Sequence, residues 1–160
     1  MTSLRQKAVN GICAGDWIEI TRTFTEADVA QFSEITQDYN PVHFDGRFSK
    51  AKNFSGKICH GLLIGSMITE IGGQIGWLAT EMRFKFKKPV YPGDTITCRM
   101  TITHVDEKGF ARAEAVLQNT EGQVVLEAVL KGFLPKEPEK EVMRQMIKEG
   151  DQTNPIRDIR

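Results

Sequence analysis

The longest apolar segment of the chain covers residues 62–79 and holds a single charge, Glu70. Its large apolar side chains recur at helical spacing and would cover nearly all sides of a helix, which is typical of a helix buried in a core. The segment is short for a transmembrane helix, which needs about 20 apolar residues, and it contains Gln74 as well as Glu70. We therefore predict a buried helix over residues 62–79 and no membrane insertion.

Alternation of apolar and polar side chains follows this helix and indicates strands. Turn signals that contain Gly, Asp or Asn separate the alternating stretches, so we expect hairpins and an antiparallel meander. With one β-rich run before the helix, the pattern predicts an α+β fold, a single domain in which an antiparallel sheet wraps around a long central helix. The predicted strands cover residues 16–24, 82–87, 95–105, 110–118 and 123–134.

A second helix is predicted between the first strand and the central helix. Thr25 followed three residues later by Asp28 resembles a capping box, and Val29 and Phe32 follow at helical spacing. We expect this helix over residues 26–36.

The two ends of the chain lie outside the predicted domain of residues 16–134. Residues 1–15 are interpreted as an N-terminal tail. Residues 135–160 form a charged C-terminal extension, either an amphipathic helix docked on the domain or on a partner subunit, or a partly disordered tail.

Composition narrows the functional classes. At 160 residues the chain fits one domain, and its 21 basic residues balance 21 acidic ones, so its charge gives no pull toward nucleic acid. Three widely spaced cysteines without a CxxC pair disfavour a disulfide framework or a zinc knuckle and fit reduced thiols.

No P-loop, GxGxxG, HExxH or nucleophile elbow is present, and we expect no cofactor and no metal. Residues 1–11 lack the apolar region of a secretory signal, so we expect a cytoplasmic, bacterial location, with an organelle matrix as the alternative.

The candidate chemistry begins at a bend over residues 38–43. Pro41 fixes its own φ and moves Asn40 out of the helical region, so Asp38 and His43 would lie on one ordered turn. An imidazole that titrates near neutrality and a carboxyl group can share one water and form an acid–base pair. The alternative is structural, with Asp38 capping the turn and His43 acting as a hydrogen-bonded structural residue.

His60 and Gly61 stand where the central helix should begin. Unpaired N–H groups at a helix start favour negative charge, and the missing Cβ of Gly61 lets a carbonyl oxygen approach its N–H closely. Such a position would stabilise an enolate that forms on a thioester. The alternatives are that His60 only satisfies the loop and that Gly61 is present for steric reasons.

Two further groups are candidates for binding substrate. Thr69 could line an acyl tunnel, or its hydroxyl could bond to the preceding turn of the helix. A basic face on one strand could bind the phosphates of coenzyme A or an acidic carrier protein, or it could be a solvated edge that discourages aggregation. Its members are Arg83, Lys85, Lys87 and Lys88.

Residues 32–45 and 54–61 resemble the hydratase-2 motif of the MaoC-like, (R)-specific enoyl-CoA hydratases. The specific part is the D-x-N-P-x-H core over residues 38–43 with a downstream H-G pair. The similarity extends over about residues 16–134 and includes the turn at residues 91–94.

This resemblance implies a hot-dog fold and a homodimer or higher homo-oligomer with acyl-thioester sites near the subunit interface. Matched by position, Asp38 and His43 would be the catalytic dyad, and Asn40 would support the dyad and the substrate. The Gly61 N–H would bind the thioester oxygen, with His60 beside it at the substrate.

The function predicted from these residues and this resemblance is the reversible hydration of trans-2-enoyl-CoA to (R)-3-hydroxyacyl-CoA, a hydro-lyase reaction of fatty-acid metabolism. The first alternative is the dehydration of (R)-3-hydroxyacyl chains on an acyl-carrier protein. A non-catalytic acyl-thioester-binding subunit and a hot-dog thioesterase are further alternatives.

Overall fold

A computed structural model describes residues 3–153 of the chain. Its strands are β1 (Trp17–Thr23), β2 (Leu78–Phe86), β3 (Thr95–Val105), β4 (Phe110–Asn119) and β5 (Val124–Phe133). They form one five-stranded sheet with the order β1-β3-β4-β5-β2, and every neighbouring pair is antiparallel. The predicted meander of β3, β4 and β5 is confirmed, and β1 and β2 are the two edges.

The helices pack on this sheet and at its ends. They are α1 (Leu4–Asn10), α2 (Glu26–Thr36), α3 (Gly46–Ala51), α4 (Gly61–Gln74) and α5 (Glu137–Lys148). One turn of 3₁₀ helix covers Pro41–His43. Among the described residues, no helix is both long and apolar enough to cross a bilayer.

The central helix α4 fills the concave side of the sheet. Met67 and Ile71 of α4 are fully buried in one apolar core with Met100 of β3 and Leu117 of β4. Gly65 allows close packing, because a Cβ at that position would lie 3.0 Å from the Phe84 ring of β2. The prediction of an antiparallel sheet around a central helix is therefore confirmed.

The predicted C-terminal end of the central helix is wrong. The helix ends at Gln74, whereas the apolar pattern predicts it to continue to residue 79. Gly76 adopts a left-handed φ of 68°, and the Trp77 N–H donates to the Gly72 carbonyl at 2.9 Å, so the chain turns away here. The apolar run continues because Leu78 opens β2, and apolar content alone does not separate a buried helix from the strand that follows it.

The predicted capping box at the start of α2 is confirmed. The Asp28 N–H donates to Thr25 Oγ1 at 3.2 Å, and the Thr25 N–H donates to Asp28 Oδ2 at 2.8 Å. At its other end α2 closes on Gln37, which adopts a left-handed φ of 59° and points the chain toward Asp38. The capping residues therefore fix the helix that leads into the candidate site.

The N-terminal segment is more ordered than the sequence predicts, and the C-terminal extension follows one of the two predicted alternatives. Residues 1–15 contain α1, and its Leu4 and Ala8 are buried in the core. A helix of seven residues is too short for its periodicity to be recognised from the sequence. For the C-terminal extension the docked alternative is confirmed, because α5 buries Met143 in the same core. Residues 154–160 of that extension lie outside the described residues.

Arg5 joins both chain ends to the C-terminal end of α4. Its Nε donates to the Gln74 carbonyl and its Nη2 to the Gly73 carbonyl, both at 3.3 Å. Its Nη1 pairs with the Asp151 carboxylate and donates to Thr153 Oγ1 at 3.1 Å. We name Arg5, Asp151 and Thr153 the terminal clasp.

Candidate active site

A cavity of about 690 Å³ opens where α4 begins, beside the C-terminal ends of α2 and β2. Asp38, His43, His60 and Gly61 lie on its wall. Most of the remaining wall is apolar or aromatic, and we name this space the site cavity. Three of these four residues carry polar side chains. The site cavity is therefore a largely apolar pocket whose wall includes a small group of polar side chains.

The bend that carries Asp38 and His43 is built by short-range hydrogen bonds. Asp38 Oδ1 accepts from the Asn40 N–H at 3.2 Å, and Asn40 Oδ1 accepts from the Val42 N–H at 3.2 Å. Pro41 occupies the first position of the 3₁₀ turn, where its fixed φ fits. Asn40 thus caps the turn and is absent from the wall of the site cavity, so it orders the bend rather than facing the cavity.

His43 is held in one tautomer. Its Nδ1 lies 2.8 Å from the Ile58 carbonyl oxygen, which can only accept, so Nδ1 carries the proton and the neutral ring has a bare Nε2. That Nε2 lies 3.9 Å from Asp38 Oδ2. The ring is only 9% exposed, and burial lowers the pKa of His43 below its usual 6.5, as does the neighbouring His60, while the Ile58 bond and Asp38 act in the opposite direction. At neutral pH the bare Nε2 is therefore available as a base.

The gap between Asp38 and His43 is too long for a direct hydrogen bond. Two groups that each bond the same water at about 2.8 Å lie about 4 Å apart. The carboxylate side is half exposed and the imidazole side is buried. The spacing therefore suits one water held between an open carboxylate and an enclosed base.

His60 packs against the His43 ring and contacts the backbone of Asp38. Its Nε2 is 3.0 Å from the Asp38 backbone carbonyl and 3.1 Å from Ser33 Oγ. Because the carbonyl can only accept, Nε2 carries the proton and donates it within the protein. His60 also lies on the wall of the site cavity, and its contact with a substrate stays a prediction.

Asp38, His43 and His60 lie close enough together to suggest a metal triad, with ligand atoms within 4.8 Å of one another. Their hydrogen bonds argue against it. His60 Nε2 is a donor, and only His43 presents a bare imidazole nitrogen to the Asp38 carboxylate. This donor set suits a bridging water better than an ion.

Gly61 is the first residue of α4. No side chain caps this helix start, and the first N–H groups of an α-helix have no partner within the helix. A Cβ at residue 61 would lie 2.5 Å from the Phe86 ring, so the ring packs directly over the glycine. Gly61 therefore packs closely against the Phe86 ring and lies at a helix start on the cavity wall, whereas its role as an oxyanion donor stays a prediction.

Residues 16–124 match the family model of the MaoC-like domain, which is more than half of the chain. The chain belongs to the MaoC-like domain family. A mitochondrial 3-hydroxyacyl-[acyl-carrier-protein] dehydratase from Arabidopsis thaliana is 33% identical over 84 residues, which are 51% of this chain and 51% of that protein. An (R)-specific enoyl-CoA hydratase from Aeromonas caviae is 31% identical over 97 residues, 58% of this chain and 72% of that protein. The match thus spans about half the length of the plant relative.

The solved structure of an (R)-hydratase from A. caviae involved in PHA biosynthesis superposes with a TM-score of 0.72 at 27% identity. The superposition covers 78% of this chain and 98% of the A. caviae chain. The hot-dog fold predicted for this MaoC-like chain is thereby confirmed.

The MaoC-like chain places the other predicted binding residues away from the dyad. Thr69 is exposed and lines a second cavity of about 230 Å³. Its hydroxyl donates to the Ser66 carbonyl at 2.7 Å, which is the alternative in which the hydroxyl bonds to the preceding turn of the helix. Arg83 lies 3.5 Å from Glu81 and is not on the wall of the site cavity. Lys85 is also absent from that wall.

Lys87 and Lys88 are the members of the basic face that reach the site cavity. Lys87 pairs with Glu127 at 3.2 Å and is exposed, and Lys88 follows it at the mouth. These two lysines are therefore the part of the basic face that could meet a charged group on a substrate.

Three features of the MaoC-like site could not be assigned from the sequence. The Ile58 carbonyl that orients His43 is a backbone group, and no residue type signals it. Ser33 lies fully buried on α2, and its contact with His60 depends on how two helices pack. Cys59 lines the cavity as a buried thiol whose pKa is raised by burial to about 12, so it stays protonated and is a poor nucleophile.

Proposed function

We propose that this protein adds water reversibly across the double bond of trans-2-enoyl thioesters to form (R)-3-hydroxyacyl thioesters. The observation that carries the proposal is the 3.9 Å gap between Asp38 Oδ2 and His43 Nε2 on the wall of an apolar cavity, beside the Gly61 helix start. The names of the two relatives, one a hydratase and one a dehydratase, support a hydro-lyase reaction in both directions.

One water between the two side chains supplies both the hydroxyl group and the hydrogen that are added. His43 Nε2 accepts one proton of the water while the oxygen attacks C3 of the enoyl thioester. Asp38 accepts the other water proton in a hydrogen bond and so orients the attacking lone pair. The imidazolium then returns its proton to C2 from the same face, and the balance is one water added to one double bond.

The Gly61 N–H stabilises the charge that grows on the thioester oxygen during attack. Negative charge at the first turn of a helix is favoured by the helix dipole as well as by the N–H itself. Removal of one such donor costs other enzymes about 10²–10³ in kcat. In this proposal the helix start of α4 is therefore the oxyanion site.

The substrate is proposed to be an acyl-CoA or an acyl-carrier-protein thioester. The apolar wall accommodates the acyl chain, and Lys87 and Lys88 at the mouth suit the phosphates of either carrier group. A cytoplasmic location stays a prediction.

The protein is proposed to work as a homodimer joined through β2. This strand pairs only with β5 among the described residues, and it exposes Leu78, Met82 and Phe86. An apolar, unpaired edge strand is a template for a second copy of the chain.

The test is an assay of the purified chain with a short trans-2-enoyl-CoA, which follows the loss of the conjugated double bond and the handedness of the product. The proposal predicts the (R)-3-hydroxyacyl thioester. Release of free thiol without hydration would indicate a thioesterase, and no reaction with either carrier would indicate a binding subunit.

A carrier-protein substrate is the second candidate, favoured by the plant relative that is named an acyl-carrier-protein dehydratase. Parallel assays of the same acyl group on coenzyme A and on a carrier protein separate the two. A kcat/KM at least about tenfold higher on the carrier protein would assign the carrier-protein thioester as the substrate.

A further inference from the structure

His60 is enclosed between groups that belong to the proposed chemistry. Its side chain is only 2% exposed. One ring face stacks on His43, with ring centroids 3.7 Å apart and planes inclined by 28°. The Phe32 ring of α2 packs at 5.1 Å from the His60 ring centroid. The His43 ring is therefore braced by His60, which is itself braced by α2.

The one protonated nitrogen of His60 is fully used. Nε2–H is shared between the Asp38 carbonyl at 3.0 Å and Ser33 Oγ at 3.1 Å, while the Ser33 hydroxyl donates to the Val29 carbonyl at 3.0 Å. The bond to Asp38 reaches its backbone and not its carboxylate, whose Oδ2 lies 4.0 Å away. The same ring thus holds the main chain of Asp38 and the plane of His43.

We infer that His60 is a positioning residue that sets the Asp38–His43 separation through these two contacts. This inference rests on the proposed function. The hydrogen bond anchors the residue that carries the carboxylate, and the stacked face stops the His43 ring from rotating about its bond to Ile58. Both contacts are made with groups of the protein itself.

Two substitutions separate the two contacts. His60→Phe keeps an aromatic ring for the stack and removes the donor to Asp38. His60→Gln keeps an N–H donor and removes the stacked ring. We expect each to lower kcat by about 10- to 100-fold, since small displacements of catalytic groups cost this much, while KM changes by less than about threefold. The same two substitutions at His104, which is exposed on β3, are the matched controls and should leave kcat unchanged.

The pairing of effects distinguishes positioning from a structural role. In a protein that already carries His43→Ala, His60→Gln should lower the residual rate by no more than about twofold. The reason is that the His43 ring, which His60 stacks against, is no longer there. Added to Asp38→Ala, His60→Phe should be similarly silent, because the carboxylate it would have placed is gone. Each substitution should keep its full effect in the opposite background.

The outcomes are decisive in both directions. The inference is supported if both His60 variants lose kcat and keep KM, and if each is silent only in the background that lacks the side chain it would have positioned. If both His60 variants keep kcat within about twofold of wild type, or if each costs the same factor in every background together with a matching fall in thermal stability, the inference is overturned. If wild type turns over no enoyl or hydroxyacyl thioester, the proposed function itself fails, and this result is distinct from an active wild type with active His60 variants.

Discussion

At the scale of single residues, the bond between His43 Nδ1 and the Ile58 carbonyl decides which ring nitrogen can act. It leaves Nε2 bare and directed toward Asp38. The D-x-N-P-x-H pattern suffices to predict that Asp38 and His43 meet, because the proline bend is local. It does not predict the tautomer or the part played by His60, because both depend on backbone atoms brought together by folding.

The first prediction concerns the dyad itself. We expect Asp38→Ala and His43→Ala each to lower kcat by about 10²–10⁴-fold, the usual contribution of a general acid or base. Steady-state kinetics with an enoyl thioester measures this, and His104→Ala is the control. An Asp38 or His43 variant that is folded and retains near wild-type kcat would contradict the assignment.

The second prediction concerns pH. Because burial lowers the pKa of His43 below 6.5, the neutral base persists in the folded protein at pH values where a free imidazole would be protonated. Activity should thus be complete at pH 7 and should fall only as the pH drops through a value below 6.5. A kcat/KM profile with its acid limb at or above 6.5 would show that another group controls the rate.

At the scale of elements, the start of α4 combines a glycine with an overlying aromatic ring. The capping box of α2 and the hairpins were predictable from the sequence because each rests on residues close together in the chain. The end of α4 was not, because Leu78 and Ala79 continue the apolar run although they belong to β2. The helix start at Gly61 could be predicted from its place before the apolar run, whereas its contact with Phe86 depends on the folded sheet.

The third prediction compares two glycines of α4. Gly61→Ala introduces a Cβ 2.5 Å from the Phe86 ring, so this ring, which lines the site cavity, must shift, and kcat/KM should fall by about tenfold or more. At Gly72 a Cβ meets nothing within 4 Å, and Gly72→Ala should raise the free energy of unfolding by about 0.5–1 kcal/mol. Enzyme kinetics and denaturant unfolding of both variants test this. Equal kinetic effects of the two substitutions would contradict it.

At the scale of the whole molecule, the terminal clasp ties the first and last described segments to the end of α4. Docking of the C-terminal extension was one of the predicted alternatives, whereas burial of α1 in the core was not predicted. The partners of Arg5 lie far from it in sequence, and three of them are backbone carbonyls, so no local sequence pattern predicts the clasp.

The fourth prediction tests the clasp. Arg5→Met removes the buried guanidinium that donates to the Gly73 and Gln74 carbonyls and pairs with Asp151, and should lower the free energy of unfolding by an amount on the order of 3 kcal/mol. The pKa of Asp151 is lowered from 3.8 by its bonds to Thr153 and by Arg5. Its contribution is thus present above pH 3.8 and is lost as the pH falls through the folded value, so the gap between wild type and variant should narrow in acid. A gap that stays constant in acid would exclude the ion pair as its cause.

The fifth prediction tests the β2 edge. We expect the wild-type chain to sediment as a dimer and Met82→Glu to shift it toward monomer, because a charge would be buried at the paired edge. An equivalent change at Thr21 on the opposite edge strand β1, Thr21→Glu, is the control. Dissociation by the Thr21 change alone would place the interface at the other edge.

The central claim is that one water, held between Asp38 and His43, delivers its oxygen and its proton to the same face of the double bond. Hydration of a trans-2-enoyl thioester in deuterium oxide records this in the relative configuration of the deuterium at C2 and the hydroxyl at C3. The account predicts syn addition with (R) configuration at C3. An anti product, or a product with mixed configuration at C2 that is not explained by exchange in a product control, would contradict it.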